Sequence, residues 1–262
     1  MSKQLLIYQT AVPITRARHF DCSLASIEGF EFSQGINSVP LTAVEFPLAA
    51  AEYPIIFAGS EGEMAPAVIL GLGAAENLFL APDFSWTAKY IPAFIRRYPF
   101  VFSRDDDRFL LCVDEQYAGF NRDGRGQKFF TPEGELAPFV QTVLTFVQEY
   151  QVQFTRTQVF CTKIEKLGIL EPMQAQITIE GVTQNLLGGF HAVSREKLKA
   201  LPGETLAELA ATDELELIYL HLQSMRNFDA LRDRMVTSRQ LAKPADDGPR
   251  AEPEAMPEHA EA

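Results

Sequence analysis

The chain has 262 residues, 47% of them apolar and 11% aromatic, and a formal net charge of −12. That apolar content is enough for a substantial core, which excludes disorder of the whole chain. The acidic balance argues against a general nucleic-acid binder, because phosphate recognition needs a concentrated cationic face, and scattered Lys and Arg offer no long basic face to anionic lipid.

No uninterrupted apolar stretch reaches bilayer length. The first apolar run, Leu5 to Tyr8, is too short for the core of a secretory signal. Cys22, Cys112 and Cys161 are far apart and odd in number, which suits reduced thiols. A cytoplasmic location is therefore expected.

From residue 5 to 70 the apolar runs are short: Leu5–Tyr8, Ile27–Phe32, Leu41–Leu48, Tyr53–Phe57 and Val68–Leu70. Pro40, Pro47, Pro54 and Pro66 cut them, so strands that are edges, ends or bulged segments are expected. Ala49 to Glu52 has room for one helical turn, and Gly59 to Glu63 reads as an exposed turn.

The densest stretch runs from Trp86, the one tryptophan, to Glu115. Pro92 suits the first position of a short helix, and Pro99 stops it after about two turns. Phe100–Phe102 and Phe109–Val113 then read as a hairpin, with Ser103 to Arg108 as its loop. Beyond a polar loop from Gln116 to Pro132 the apolar period changes to that of a helix. Leu136, Phe139, Val140, Val143, Val147 and Tyr150 share one face. The start is open between Thr131–Pro132 and Pro138; the helix runs to Lys166, whole or broken near Gln153, with Gly168 as its stop.

Ile177–Val182 and Leu186–Val193 read as strands, and the remainder as helices. Ser194 is placed to cap Arg195–Leu201, Glu204–Ala211 is a short helix, and Asp213 caps a long one. Leu215, Ile218, Leu222, Met225 and Phe228 stripe that last helix, and Leu217 and Leu220 on its other side suggest burial all round. Residues 243–262 hold six acidic and two basic residues and no aromatics, the composition of a disordered tail. The fold class expected is α+β: proline-interrupted, mostly antiparallel strands, a central short helix with a hairpin, and a helical C-terminal half, all in one domain over residues 1–242.

Each chemical signal has a plain structural counterpart. His19-Phe20-Asp21 has the spacing of two ligands of an iron facial triad, with His191 or His221 as the third, and also reads as a capped turn. Gly71-Leu72-Gly73 follows a strand as a dinucleotide loop does, but Glu76 stands where the third glycine belongs, so a strand-end turn fits better. Ser194-Arg195-Glu196-Lys197 has the spacing of serine acyl enzymes, and equally that of a helix cap. His221 reads as a satisfied core histidine or a ligand contact. Arg96 and Arg97 read as charge at a helix end packed on aromatics, or as an anion or partner site.

Several separated stretches carry a family resemblance. They are L-T-A-V-E-F with A-E-Y-P-I-I-F within 41–57, Y-I-P-A-F-I-R-R-Y-P-F at 90–100, and G-Q-K-F-F with E-G-E within 126–135. G-G-F-H-A-V-S-R-E-K-L at 188–198 and L-E-L-I-Y-L-H-L-Q-S-M-R-N-F at 215–228 complete the set. With these the chain resembles the SapC family of bacterial proteins, named from a surface-layer-associated component. The resemblance implies an accessory or protein-interaction factor linked to cell-envelope or uptake functions, and it carries over no catalytic residue. A small-molecule binder or a metal-dependent oxygenase is the alternative. The binding candidates are Trp86, Tyr90, Arg96, Arg97, Tyr98 and His221, for an unknown protein partner or a small anionic ligand; no metal or cofactor is assigned.

Overall fold

Short apolar runs cut by proline give short strands, and the structure, a computed structural model, describes residues 6–26, 28–105, 108–179 and 182–242. The expected tail at 243–262 lies outside the described residues. First come β1 (Ala11–Pro13), the single helical turn α1 (Arg16–His19), β2 (Ser23–Leu24) and β3 (Ser38–Pro40). Leu5–Tyr8 forms no strand in its described part, Leu6–Tyr8, and Glu31–Ser33 is a 3-10 turn.

Leu41–Leu48, expected to be extended, is helical instead. A 3-10 turn at Ala43–Glu45 leads into α2 (Phe46–Ala49). The cause is local: Thr42 donates its backbone N–H (2.8 Å) and its hydroxyl (2.7 Å) to the Glu45 carboxylate, closing a T-x-x-E box. Pro47 then sits in the first helical turn, where no donor is needed.

The chain continues through β4 (Ile55–Ala58), β5 (Ala65–Ile69), α3 (Ala93–Arg96), β6 (Phe100–Asp105) and β7 (Arg108–Asp114). The charged segment expected as a loop is largely strand, for β6 and β7 stay paired from Phe100↔Val113 to Asp105↔Arg108. Main-chain pairing carries that extension, and hydropathy does not report it. The loop after it contains two short strands, β8 (Phe120–Asn121) and β9 (Gln127–Lys128).

Helix α4 (Pro138–Lys166) is 29 residues long and unbroken at Gln153. Pro138 occupies its first turn, which settles the start, and Gly168 beyond its end takes φ +65°. Strands β10 (Leu170–Ile179) and β11 (Val182–Val193) form a hairpin longer than the two strands expected there. Helices α5 (Arg195–Lys199), α6 (Gly203–Ala211), α7 (Glu214–Ser224) and α8 (Asn227–Ala242) close the fold.

Among the described residues all strand pairing is antiparallel, and the chain is an α+β protein. The described strands form three sheets, ordered β10-β11-β4-β5-β3, β1-β7-β6 and β8-β2-β9. Pro40 lies on an edge strand, whereas Pro66 is the second residue of the interior strand β5, where its carbonyl accepts from Leu41. The larger hydrophobic cluster joins the five-stranded sheet to α2, α7 and α8; the smaller lies beneath β6 and β7. Helix α4 serves both, giving Val140 and Val147 to the smaller cluster and Phe160, Cys161 and Ile164 to the larger.

The last helix is neither continuous nor buried all round, since it is split into α7 and α8 and Tyr219 is 44% exposed. Its inward face includes three polar residues that complete the main chain of their neighbours. Ser224 donates to the His221 carbonyl (2.7 Å) and accepts from the Ile55 N–H (3.0 Å), while Asn227 donates to the Ala50 and Tyr53 carbonyls, both at 2.9 Å.

His221 is fully buried. Its Nε2 accepts the Val193 N–H (3.0 Å) and its Nδ1–H donates to the Ile55 carbonyl (2.9 Å). The ring therefore bridges β11 and β4 where those strands share one residue pair, His191↔Phe57. A proton on Nε2 would face another donor. Burial pushes His221 down to about 4, opposed in part by the Ile55 carbonyl. Its contribution to stability is full above the unfolded value near 6.5 and declines as pH falls toward 4, because the unfolded chain binds a proton that the folded chain refuses. By proton linkage the loss at pH 5 is about 2 kcal/mol. Urea unfolding at pH 7.5 and 5.0 checks this: His221→Gln should remove that part of the pH dependence, and an unchanged slope would contradict it.

Candidate functional site

The stretch from Trp86 to Phe100 contains one turn of helix, so its shape is imposed by what grips it. Glu52 accepts the N–H groups of Lys89 and Tyr90, both at 2.9 Å. Glu45, 5% exposed, accepts the Tyr90 hydroxyl (2.7 Å) and the Ala93 N–H (2.8 Å) besides its two bonds from Thr42. Tyr53 donates its hydroxyl to the Tyr90 carbonyl and accepts from Trp86 Nε1. Pro92 lies one position earlier than expected, at the N-cap with ψ 140°, and α3 has one turn rather than two before the cis Tyr98–Pro99 peptide. The Glu45 carboxylate fills the capping role that proline's side chain lacks.

The two arginines part company. Arg97 is 2% exposed, its guanidinium 4.4 Å from the Phe94 ring centre, 4.7 Å from Tyr150 and 5.8 Å from Tyr8. It hydrogen-bonds the Tyr8 hydroxyl, which donates to the Phe100 carbonyl (2.6 Å). Of the two arginines read as charge at a helix end packed on aromatics, Arg97 is packed on aromatics but buried. Arg96 is exposed: its Nε donates to the Ile91 carbonyl (3.0 Å), and its guanidinium lies over Tyr90 and Phe146.

An aromatic file continues from there. Trp86 meets Phe30 edge-on, Phe30 meets Phe32, Phe32 stacks on Tyr98 with centroids 4.1 Å apart, and Tyr98 meets Tyr117 edge-on at 5.5 Å. The Tyr98 hydroxyl faces Asp114, and burial, then that carboxylate, pushes it up to about 12. Asp114 is itself fully buried and accepts the N–H groups of Gln9 (2.8 Å), Thr10 (3.0 Å) and Gln116 (3.1 Å).

Arg96, Tyr98 and Tyr117 stand between two depressions. One, of about 420 Å³, lies against Phe139, Thr142, Val143 and Phe146 of α4 and also touches Arg97, Ser26 and Gln127; among the described residues no carboxylate lines it. The other, of about 330 Å³, holds Glu28, Phe30 and Phe32. Five of the six sequence candidates thus share one neighbourhood, with Trp86 at the far end of the aromatic file. His221 belongs to the core seam instead.

The other motifs resolve into local structure. His19 is buried on Phe120 and Phe129, with Nδ1 at Thr15 and Nε2 3.3 Å from Glu115, and burial lowers its pKa. Glu115 accepts from Nε and Nη2 of Arg18, both at 2.6 Å, which lowers its own pKa. Asp21 pairs with Arg122 at the surface, and His191 and His221 lie on the five-stranded sheet, so the facial-triad residues do not converge. Among the described residues no three His, Cys, Asp or Glu side chains gather as a metal ion requires.

At Gly71 a Cβ would meet the Glu76 carbonyl at 1.9 Å, and Glu76 accepts the Gly73 N–H (3.0 Å); the loop is a tight strand-end turn. Ser194 stands at the N-cap of α5 but its hydroxyl makes no capping bond, and Lys197 donates to the Leu170 carbonyl. Sequence reading missed Glu45, Glu52, Asp114 and Tyr117, of which Glu45 alone carried a local signal, the T-x-x-E spacing.

A family model described as SapC matches residues 14–231. The chain belongs to the SapC family. No curated protein and no solved structure matches it. All five stretches that carry the SapC resemblance fall inside the matched range, and two of them, 41–57 and 90–100, are those that Glu45, Glu52 and Tyr53 fasten together.

The separation of the two arginines has a measurable consequence. Arg97→Gln should cost on the order of 3 kcal/mol, as for other losses of a buried, stacked charge. Arg96→Gln should cost no more than about 1 kcal/mol, since its contacts with Ile91, Tyr90 and Phe146 are made at an exposed position. Guanidinium unfolding of the two single variants checks this, and equal losses would contradict the separation.

Proposed function

We propose that this SapC-family chain is a non-catalytic interaction factor of the cytoplasm, serving cell-envelope or uptake functions, and that it holds an acidic segment of a protein partner in the groove between Arg96 and α4. The observation that carries this reading is the groove's composition. Arg96 supplies exposed donors, Tyr98 and Tyr117 supply faces, and among the described residues no carboxylate lines this groove, Glu28 lining the depression on the other side of Arg96. In a chain of −12 such a surface stands out. The non-catalytic part is supported by the buried titratable groups, because Glu45, Asp114 and His221 are spent on main-chain amides. Three free, buried cysteines fit a reducing compartment. Residues 1–242 are read as one domain because α4 contributes to both hydrophobic clusters.

A small planar anion is the second reading, favoured by the stacking faces of Tyr98 and Tyr117 beside a guanidinium. A photo-reactive residue at Thr142, which lines the groove, separates them. Crosslinking to a protein in the native cells should fall about tenfold with Arg96→Glu, as for loss of an anchoring charge pair, and should weaken with added salt. A folded Arg96→Glu chain that keeps every crosslink sinks the proposal; a small molecule that copurifies with wild type and leaves with the variant favours the second reading.

A further inference from the structure

Helix α4 presents to solvent a stripe that the fold does not use. Gln141, Thr145, Gln148, Val152, Thr155, Val159, Thr162 and Lys166 recur at alternating steps of four and three, and all eight are exposed. That is the spacing of a helix–helix seam. Seven of the eight are uncharged, on a chain with 35 acidic and 23 basic residues. Thr145, Thr155 and Thr162 turn their hydroxyls back to the carbonyls of Gln141 (3.1 Å), Gln151 (3.1 Å) and Gln158 (2.9 Å). Each hydroxyl is thereby satisfied within its own helix, which lowers the cost of covering the face. Val152 and Val159, 51% and 66% exposed, are the largest apolar groups on it.

We propose that this face pairs with the same face of a second copy of the chain, the two α4 helices running antiparallel about a two-fold axis midway between Gln153 and Phe154. The occupant follows from self-complementarity. About that centre Val152 lies opposite Thr155 of the second copy, Thr145 opposite Thr162, and Gln148 opposite Val159. Beside the seam, Glu149 of each copy falls within about 3 Å along the axis of the level of Arg156 of the other, two residues at 1.5 Å each. Neither Glu149 nor Arg156 has an ion pair within its own chain among the described residues, so the charges are left for one another. A shallow depression of about 490 Å³ beside Val159, Thr162 and Leu167 faces the half-exposed Leu144 of the second copy.

The contact is modest. A stripe about 38 Å long and about 10 Å wide covers about 400 Å² per copy, less than a standard stable interface needs. The pair is therefore a weak, reversible dimer that forms as concentration rises.

Sedimentation of the full chain from about 1 to 300 µM, spanning the range of weak association, should show a reversible monomer–dimer equilibrium. Val152→Glu with Val159→Glu should leave the chain monomeric with its circular dichroism and Tm unchanged. Glu149→Arg alone should weaken the dimer about tenfold, and Glu149→Arg combined with Arg156→Glu should restore it, as expected of a pair that meets across the axis. A monomer throughout, a dimer indifferent to the two valine changes, or a charge swap that fails to restore association overturns the proposal. The charge swap uses exposed residues and decides the matter even where the double glutamate variant does not fold.

Discussion

The Glu45 carboxylate is the fastening on which the central region depends. A carboxylate that is 5% exposed is tolerated only when its lone pairs are filled, and Glu45 takes four donors, two from Thr42 and one each from Tyr90 and Ala93. Those bonds join a helical turn near residue 45 to a segment almost fifty residues later. They also set the phase of α3. Successive helical residues point about 100° apart, so fixing Ala93 at the helix start sends Arg97 inward among Tyr8, Phe94 and Tyr150 and leaves Arg96 facing the groove.

The same device recurs wherever short strands leave a ladder incomplete. Main-chain groups shut away from water must find partners, and strands of two to five residues cannot supply them all. Asp114 takes two N–H groups just before β1 and one just after β7, Glu52 takes two before α3, and His221 spans the one-pair contact between β11 and β4. Buried acids and histidine act as pieces of backbone pairing. This is why their presence inside the core says more about how the sheets are joined than about chemistry performed on a ligand.

Elements whose cause is local were legible in the sequence. The 3.6-residue period of α4, the strand at 55–58, expected at 53–57, and the turn at Gly59–Glu63 follow from periodicity and punctuation, whereas the strand at 65–69 was legible as extended only from Val68. Leu41–Leu48 misled because apolar content outweighed the Thr42–Glu45 box, and the β6–β7 hairpin was shortened because its charges hid its pairing. The aromatic-arginine run marked a stretch whose side chains do gather in one neighbourhood. It did not reveal that Arg96 and Arg97 face opposite ways, because their directions follow from bonds that the Glu45 carboxylate makes 45 and 48 positions along the chain, and bonds of that span leave no trace in spacing.

The groove and the proposed seam lie side by side on the first half of α4. Thr142 and Phe146 line the groove, while Thr145 and Gln148 belong to the exposed stripe. One helix therefore serves three surfaces, its inner face being taken by Val140 and Val147 in the core. On an antiparallel pairing centred between Gln153 and Phe154, each groove lies about eleven residues from the axis, so the two would be about 33 Å apart along the helices. Two weak sites held at a fixed span bind a partner that carries two acidic segments far better than either alone, provided its linker can cover that distance. A modest dimer contact would then be enough, since a bivalent partner would tighten the pair that it binds.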